Sequence, residues 1–267
     1  MKNIFIILGF LIIFGTANFA SAQIFLEEGK LTLDIKPGEN ISKTLTVHNT
    51  SNKEFKVKAY WEDFTYQPPF DGTKKFFPLG SNPQSAGSWV SFSPRDFVLP
   101  PFGKKDISYV INAPQDIHGG YYGVLFVEKE PEESKDIRGL NIVSRIGCLF
   151  FLESANKNKN AELGDIFIEE SQVKGTLLNQ GDVVLIPDGT FYMMNADSLI
   201  ADRGSVNKVY LPPGAKADYA FDFNKDLPTG QYTLVVTLDL GAGDVLVKEL
   251  DFVKKSDSNF QILEIRN

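Results

Sequence analysis

From residue 23 onward the chain repeats one pattern: short runs in which apolar and polar side chains alternate, each cut off by Pro, Gly, Asn or Asp. Side chains of a β-strand point to opposite faces in turn, so this spacing fits half-buried strands and fits helices badly. Ile41, Leu45 and Val47 alternate with Ser42, Thr44, Thr46 and His48 before Asn49-Thr50-Ser51-Asn52 breaks the run. Phe55, Val57, Ala59 and Trp61 then alternate with Lys56, Lys58 and Tyr60. Further runs fall at residues 107–111, 173–178, 190–194, 206–211, 215–223, 232–240 and 245–253. No window sustains helical spacing beyond a turn or two. With about seven short strands on each side of residues 154–162, the expected fold class is all-β, a tandem of immunoglobulin-like β-sandwiches.

The polar stretch Ser154-Ala155-Asn156-Lys157-Asn158-Lys159-Asn160 holds nothing large enough to pack, so residues 154–162 read as a linker. It separates residues 23–153 from 163–255, about 130 and 90 residues, both sizes suited to a sandwich. The first half is longer because of residues 64–88, where Tyr66, Phe70, Phe76 and Phe77 either form a satellite core or offer a contact surface. Residues 256–267 read as a frayed tail, with docking as an extra strand through Ile262, Leu263 and Ile265 as the alternative. The halves share turn sequences. Leu99-Pro100-Pro101-Phe102-Gly103 is echoed by Leu211-Pro212-Pro213-Gly214-Ala215, with Pro setting one φ and Gly supplying a positive one. Asn49-Thr50-Ser51 and Asn179-Gln180-Gly181 each close an early strand, and Gly119-Gly120-Tyr121 and Gly230-Gln231-Tyr232 each open a late one. The halves read as related domains.

Residues 1–22 read as a secretory signal: Lys2, an apolar run from Ile4 to Phe14, then Ala20-Ser21-Ala22 ahead of Gln23. The run is about half of the roughly 20 residues that span a bilayer, which favours cleavage over anchoring. The expected mature protein is therefore exported, periplasmic or at the cell surface. In an oxidising compartment the lone Cys148 is expected to lie buried in a core.

The whole sequence carries a net charge of −7, which argues against phosphate-backbone binding, and no nucleic-acid partner is expected. One cysteine and two histidines leave little for a metal site or a nucleophile–base pair. His48 lies on a polar strand face and His118 in the turn before Gly119, both reading as solvated. The pairs Glu27-Glu28 and Glu169-Glu170 point to opposite strand faces, and Glu128, Glu130, Glu132 and Glu133 read as a solvated hairpin rim. No catalytic, cofactor or metal residue is expected, and the chain reads as a binding protein rather than an enzyme.

Residues 140–152 break the one-sided pattern. Leu140, Ile142, Ile146, Cys148, Phe150 and Leu152 share one face, while Val143, Leu149 and Phe151 share the other with Arg145. A strand apolar on both faces needs a second cover. That cover is either the other domain with the long loop, or a partner that takes this strand edge by β-augmentation. The candidate partner-binding residues are Leu140, Ile142, Ser144, Arg145 and Ile146.

Three stretches resemble periplasmic pilus-assembly chaperones: Leu45-Thr46-Val47-His48-Asn49-Thr50 with Val57-Lys58-Ala59-Tyr60-Trp61-Glu62-Asp63, Phe92-Ser93-Pro94-Arg95-Asp96-Phe97-Val98-Leu99-Pro100-Pro101, and Ser144-Arg145-Ile146 with Leu149-Phe150-Phe151. The likeness covers residues 24–153 well and 163–253 in general style. It implies two immunoglobulin-like domains meeting at an angle, with the last strand of the first lent to an incomplete envelope or pilus subunit. It also implies two basic residues in the inter-domain cleft that hold the subunit's terminal carboxylate. Their positions fall near Leu33 and at Gly147, neither basic, with Lys30 and Arg145 as nearby substitutes. A second likeness rests on Asn112-Ala113-Pro114 followed by Gly119-Gly120-Tyr121-Tyr122-Gly123-Val124. These residues are similar to exported envelope proteins of Gram-positive type, which implies a structural or adhesion module binding peptidoglycan or surface proteins.

Overall fold

The structure, a computed structural model, describes residues 23–131 and 143–267. Strands account for every regular element among them. The first half opens with β1 (Ile24–Leu26), β2 (Lys30–Ile35), β3 (Asn40–Asn49), β4 (Phe55–Tyr66) and β5 (Lys74–Pro78). It continues with β6 (Val90–Ser93), β7 (Asp96–Leu99), β8 (Lys104–Asn112), β9 (Gly120–Lys129) and β10 (Arg145–Ser154). They form two sheets, ordered β1-β3-β8-β6 and β2-β10-β9-β4-β5, with β7 paired to the lower half of β4. The second half holds β11 (Ala161–Glu169), β12 (Gln172–Asn179), β13 (Asp188–Asn195), β14 (Ile200–Val206), β15 (Lys216–Asp222), β16 (Gly230–Gly241), β17 (Asp244–Ser256) and β18 (Asn259–Arg266). Its sheets run β11-β12-β15 and β14-β13-β16-β17-β18. The chain is thus a tandem of β-sandwiches.

Alternation is cleanest where one face meets water. In β4 the side chains of Phe55, Val57, Ala59 and Trp61 are buried while Lys56 and Lys58 are exposed. Past Asp63 the opposite face is buried as well, at Phe64 and Tyr66. Two aromatic-rich clusters account for this change. Phe55, Val57, Trp61, Leu125, Cys148 and Phe150 belong to the core between the first two sheets. Phe64, Tyr66, Tyr122, Phe126 and Phe151 instead join the core of the second half, with Val184, Leu211 and Leu240. One end of the sheet β2-β10-β9-β4-β5 is therefore covered on both sides, and the second cover required by β10 is, from Phe151 onward, the other half of the chain.

The shared turn sequences fold alike. Asn49 closes β3 and donates through Nδ2 to the carbonyls of Leu99 (3.4 Å) and Pro100 (2.9 Å). Asn179 closes β12 and donates to the carbonyls of Leu211 (2.9 Å) and Val183 (2.8 Å). Each Asn Oδ1 accepts the N–H two residues on, from Ser51 and Gly181. The Asn49 N–H reaches Gly103 O and the Asn179 N–H reaches Ala215 O, the same step beyond each Leu-Pro-Pro. In both turns the residue before that carbonyl has positive φ, Phe102 at 51° and Gly214 at 74°. The expectation of glycine there holds in the second turn; in the first, Phe102 takes the left-handed conformation and its ring lies in solvent.

Three further expectations are corrected. Residues 256–267 do not fray: β18 pairs along β17, with Phe260 and Ile262 packed on the second core. Residues 207–211 are not a strand; β14 ends at Val206, and Val209 and Leu211 are buried because their loop is sealed into the domain junction. Tyr66 and Phe70 form no satellite core of their own and instead enter the cluster of the second half.

Both carbonyls capped by Asn179 are buried; truncating this residue strips Val183 O of its side-chain donor and leaves Leu211 O with the Leu185 N–H alone. Asn179→Ala is expected to lower unfolding free energy by about 3 kcal/mol in urea titration, with an unchanged m-value.

Candidate partner-binding edge and inter-domain cleft

β10 runs antiparallel to β9 over its length, Arg145 opposite Glu128 through Glu153 opposite Gly120. On its other side it pairs in parallel with β2, and that ladder begins only at Leu149, opposite Lys30. The reason lies upstream. β1 belongs to the opposite sheet, paired with β3, and the chain crosses between sheets at Glu27-Glu28-Gly29. The Leu149 N–H bonds Gly29 O at 3.0 Å, so odd-numbered residues of β10 aim their backbone groups at this edge. The Ser144 carbonyl, even-numbered, accepts from Lys129 N on the β9 side at 3.0 Å. The amide and carbonyl of Arg145 and the carbonyl of Gly147 thus face an edge with no paired strand among the described residues.

The sequence-derived candidates sit on this segment unevenly. Leu140 and Ile142 lie outside the described residues. Ser144 is exposed, and Ile146 is half-buried against the first core. Arg145 lies on the opposite face, its guanidinium 4.0 Å from the Phe126 ring centroid and 5.3 Å from that of Phe76. One of its nitrogens donates to Tyr60 Oη and Glu62 Oε1, both at 3.1 Å. The Tyr60 hydroxyl in turn donates to Glu128 Oε2 at 2.6 Å. Burial and the Glu128 hydrogen bond hold the Tyr60 hydroxyl above its ordinary pKa. Arg145 is stacked and charge-matched within its own sheet.

Gly147 faces Phe126 directly across the β9–β10 ladder. A Cβ there would lie 2.6 Å from the Val124 side chain and 2.8 Å from the Phe126 ring. Leu33 turns toward the first core, opposite Leu152. Its neighbours two residues apart on the other face, Lys30 and Thr32, line the groove between the halves.

That groove has a volume of about 250 Å³ and is lined by Lys30 and Phe151 of the first half and by Ile186, Asp188 and Asp239 of the second, with the Lys159 ammonium beside Gly241. The Lys30 ammonium sits 4.1 Å above the Phe151 ring centroid. Burial is the main influence lowering its pKa, Glu153 opposes this, and the positive charges of Lys159 and Lys74 add to the lowering. Glu153 is itself held by Lys157 at 3.1 Å, a lysine that also reaches Asp34. Two nearby ammonium groups, on Lys30 and Lys159, therefore crowd one end of a cleft whose buried carboxylate is already paired. Lys159 carried no signal in the sequence beyond its place in a polar linker.

Cys148 is buried in the first core, and burial pushes its thiol up to about 12. Among the described residues no three His, Cys, Asp or Glu side chains form a metal-binding group. No helix among them is long and apolar enough to cross a membrane.

No family model matches the chain, and no curated protein matches it. Solved structures do. The chain is similar to the structure titled a chaperone–tip adhesin complex vital for activation of CFA/I fimbriae biogenesis, with a TM-score of 0.51 at 13% identity. That match covers 85% of this chain and 98% of the other. The class 5 fimbriae chaperone CfaA matches at 15% identity and TM-score 0.49, over 84% of this chain and 97% of its own. The CsuC–CsuE chaperone–tip subunit pre-assembly complex of Acinetobacter baumannii matches at 10% identity and TM-score 0.45, over 85% and 98%. The two-sandwich fold is thus shared with the chaperone–tip adhesin structure over 98% of the matched chain.

Two outcomes test this geometry. Placing the basic side chain that the resemblance implies at position 147, as Gly147→Lys, is expected to cost about 1–3 kcal/mol of stability by overpacking against Phe126, measured by chemical denaturation. Cys148 is expected to resist thiol reagents at pH 8 in the native protein and to react fully in urea. The folded thiol has the raised pKa, so its contribution to stability is whole below the unfolded value near 9. It is lost as pH climbs from about 9 toward 12.

Proposed function

We propose that this chain is a non-catalytic, exported chaperone-like protein that binds an envelope or pilus-type subunit by strand pairing along β10. The observation that carries this reading is the open edge at residues 145–147, where main-chain donors and acceptors stand ready beside a groove. A strand laid against that edge completes the ladder which β2 begins only at residue 149. The fold supports the same reading, since a similar solved structure is a complex of a chaperone with a tip adhesin. Leu140, Ile142 and Ile146 are then the side chains offered to the partner, extended by Ser144. The export signal read in residues 1–22 fits a partner met outside the cytoplasm.

Within this reading, Lys30 rather than Arg145 holds the partner's terminal carboxylate. Arg145 already spends its charge on Glu62, whereas Lys30 projects into the groove beside Lys159, close to where the open edge ends. A carboxylate between these ammonium groups relieves their mutual repulsion and gains charge-assisted hydrogen bonds in a partly desolvated site.

The test is capture of subunits from the exported fraction by the mature protein, with bound proteins identified by mass spectrometry. Small β-rich subunits are expected, and Lys30→Glu is expected to reduce their recovery at least about tenfold, the worth of one charge-assisted contact of ~1.4 kcal/mol or more. Arg145→Ala is expected to reduce it less. Recovery of cell-wall material or mature surface proteins, indifferent to Lys30, overturns the proposal in favour of an envelope-binding module.

A further inference from the structure

We infer that residues 66–73 are a clasp which fixes the angle between the two halves and so sets the width of the cleft. This goes beyond the binding reading and rests on contacts that need no partner. The segment is the tip of the β4–β5 hairpin, closed on itself by Gln67 N to Thr73 O at 3.2 Å and Phe70 N to Gln67 O at 2.9 Å. It reaches out of the first half and inserts Phe70, 8% exposed, into the core of the second. The Tyr210 N–H there donates to Phe70 O at 2.9 Å, a main-chain bond across the junction. The Tyr210 ring packs on Tyr66, centroids 4.9 Å apart. The same ring lies 3.1 Å from where a Cβ on Gly72 would sit, and Gly72 has φ of +102°. Glycine is required at that point for conformation and for space together.

A single attachment leaves a pair of domains free to swivel, and here there are two. The second is the 119–122 turn. Gly120 N donates to Asp182 O at 3.0 Å, and a Cβ on Gly119 would meet that same carbonyl at 2.5 Å. Val184 N donates to the buried Tyr122 Oη at 2.6 Å. The two receiving segments are themselves locked, Leu185 and Leu211 exchanging both main-chain bonds at 2.9 Å. Clasp and pivot therefore grip one rigid piece of the second half from two elements of the first. Lys74 directly follows the clasp and is near enough for its charge to lower the pKa of Lys30 in the groove.

The test is double electron–electron resonance on the full chain, spin-labelled at Lys105→Cys and Asp244→Cys, exposed positions in opposite halves, with the buried Cys148 left in place. One narrow distance distribution is expected, and Phe70→Ala or Gly72→Val is expected to broaden and shift it while circular dichroism retains the β signal. A broad distribution in the parent, or variants as narrow as the parent, overturns the inference. If both variants unfold, hydrogen exchange on the parent decides. The Tyr210 amide is expected to exchange as slowly as the amides of β10, and exchange at loop rates refutes the clasp. No partner is present in either experiment, so a failed subunit capture leaves the clasp standing, and a mobile junction leaves strand pairing standing.

Discussion

One end of the sheet β2-β10-β9-β4-β5, around Phe64, Tyr122 and Phe151, is buried on both faces, and the rest of the molecule is arranged by that fact. A sandwich strand ordinarily keeps one side wet, so its outward residues are polar. Here Phe64, Tyr66, Tyr122 and Phe151 point outward into the cluster shared with the second half, while Phe126 is covered by Phe76 and Arg145. Burying several aromatic side chains in one junction supplies several kcal/mol at about 1.5–3 kcal/mol each, more than most surface contacts between domains can. The linker 155–160 has no need to be stiff, because packing and main-chain bonds hold the halves together.

The candidate site follows from two departures within that sheet. β1 lies in one sheet and the chain crosses to the other at Glu27-Glu28-Gly29, so the edge of β10 is paired from Leu149 onward and has no paired strand before it among the described residues. At the covered end, the face that meets the second half carries Lys30 and Phe151 and forms the groove. An edge that can add a strand and a groove that can hold a charge thus lie end to end on one element. The charge arrangement is this chain's own. Phe126 fills the space beside Gly147, Leu33 turns inward, and the lysines come from β2 and from the stretch after β10.

Much of the fold was legible in the sequence because alternation reports burial directly. The runs beginning at Ile41 and Phe55 are strands in the expected phase, and the two Asn-closed, Leu-Pro-Pro turns proved equivalent down to the carbonyls they cap. Alternation failed where burial had another cause. Val209 and Leu211 alternate like a strand yet lie in a loop pressed into the junction, and in β18 the adjacent Ile262 and Leu263 break the alternation that would mark a strand beyond Val253. The site was less legible. Arg145 was visible as a lone cation in an apolar run, but its stacking between Phe76 and Phe126 and its pairing with Glu62 join β10 to three other strands, which no local pattern encodes.

The sequence by itself determined the strands, the two-sandwich class, the repeat between halves and the oddity of residues 140–152, because each depends on the order of side chains along one strand. Tertiary structure alone decided which half covers that oddity, that Phe70 and Tyr210 clasp the junction, and that Lys30 meets Lys159 across about 130 residues of chain. Those depend on the approach of segments distant in sequence. That approach is set by how two curved sheets and their connecting turns pack in three dimensions, a quantity that periodicity along the chain does not contain.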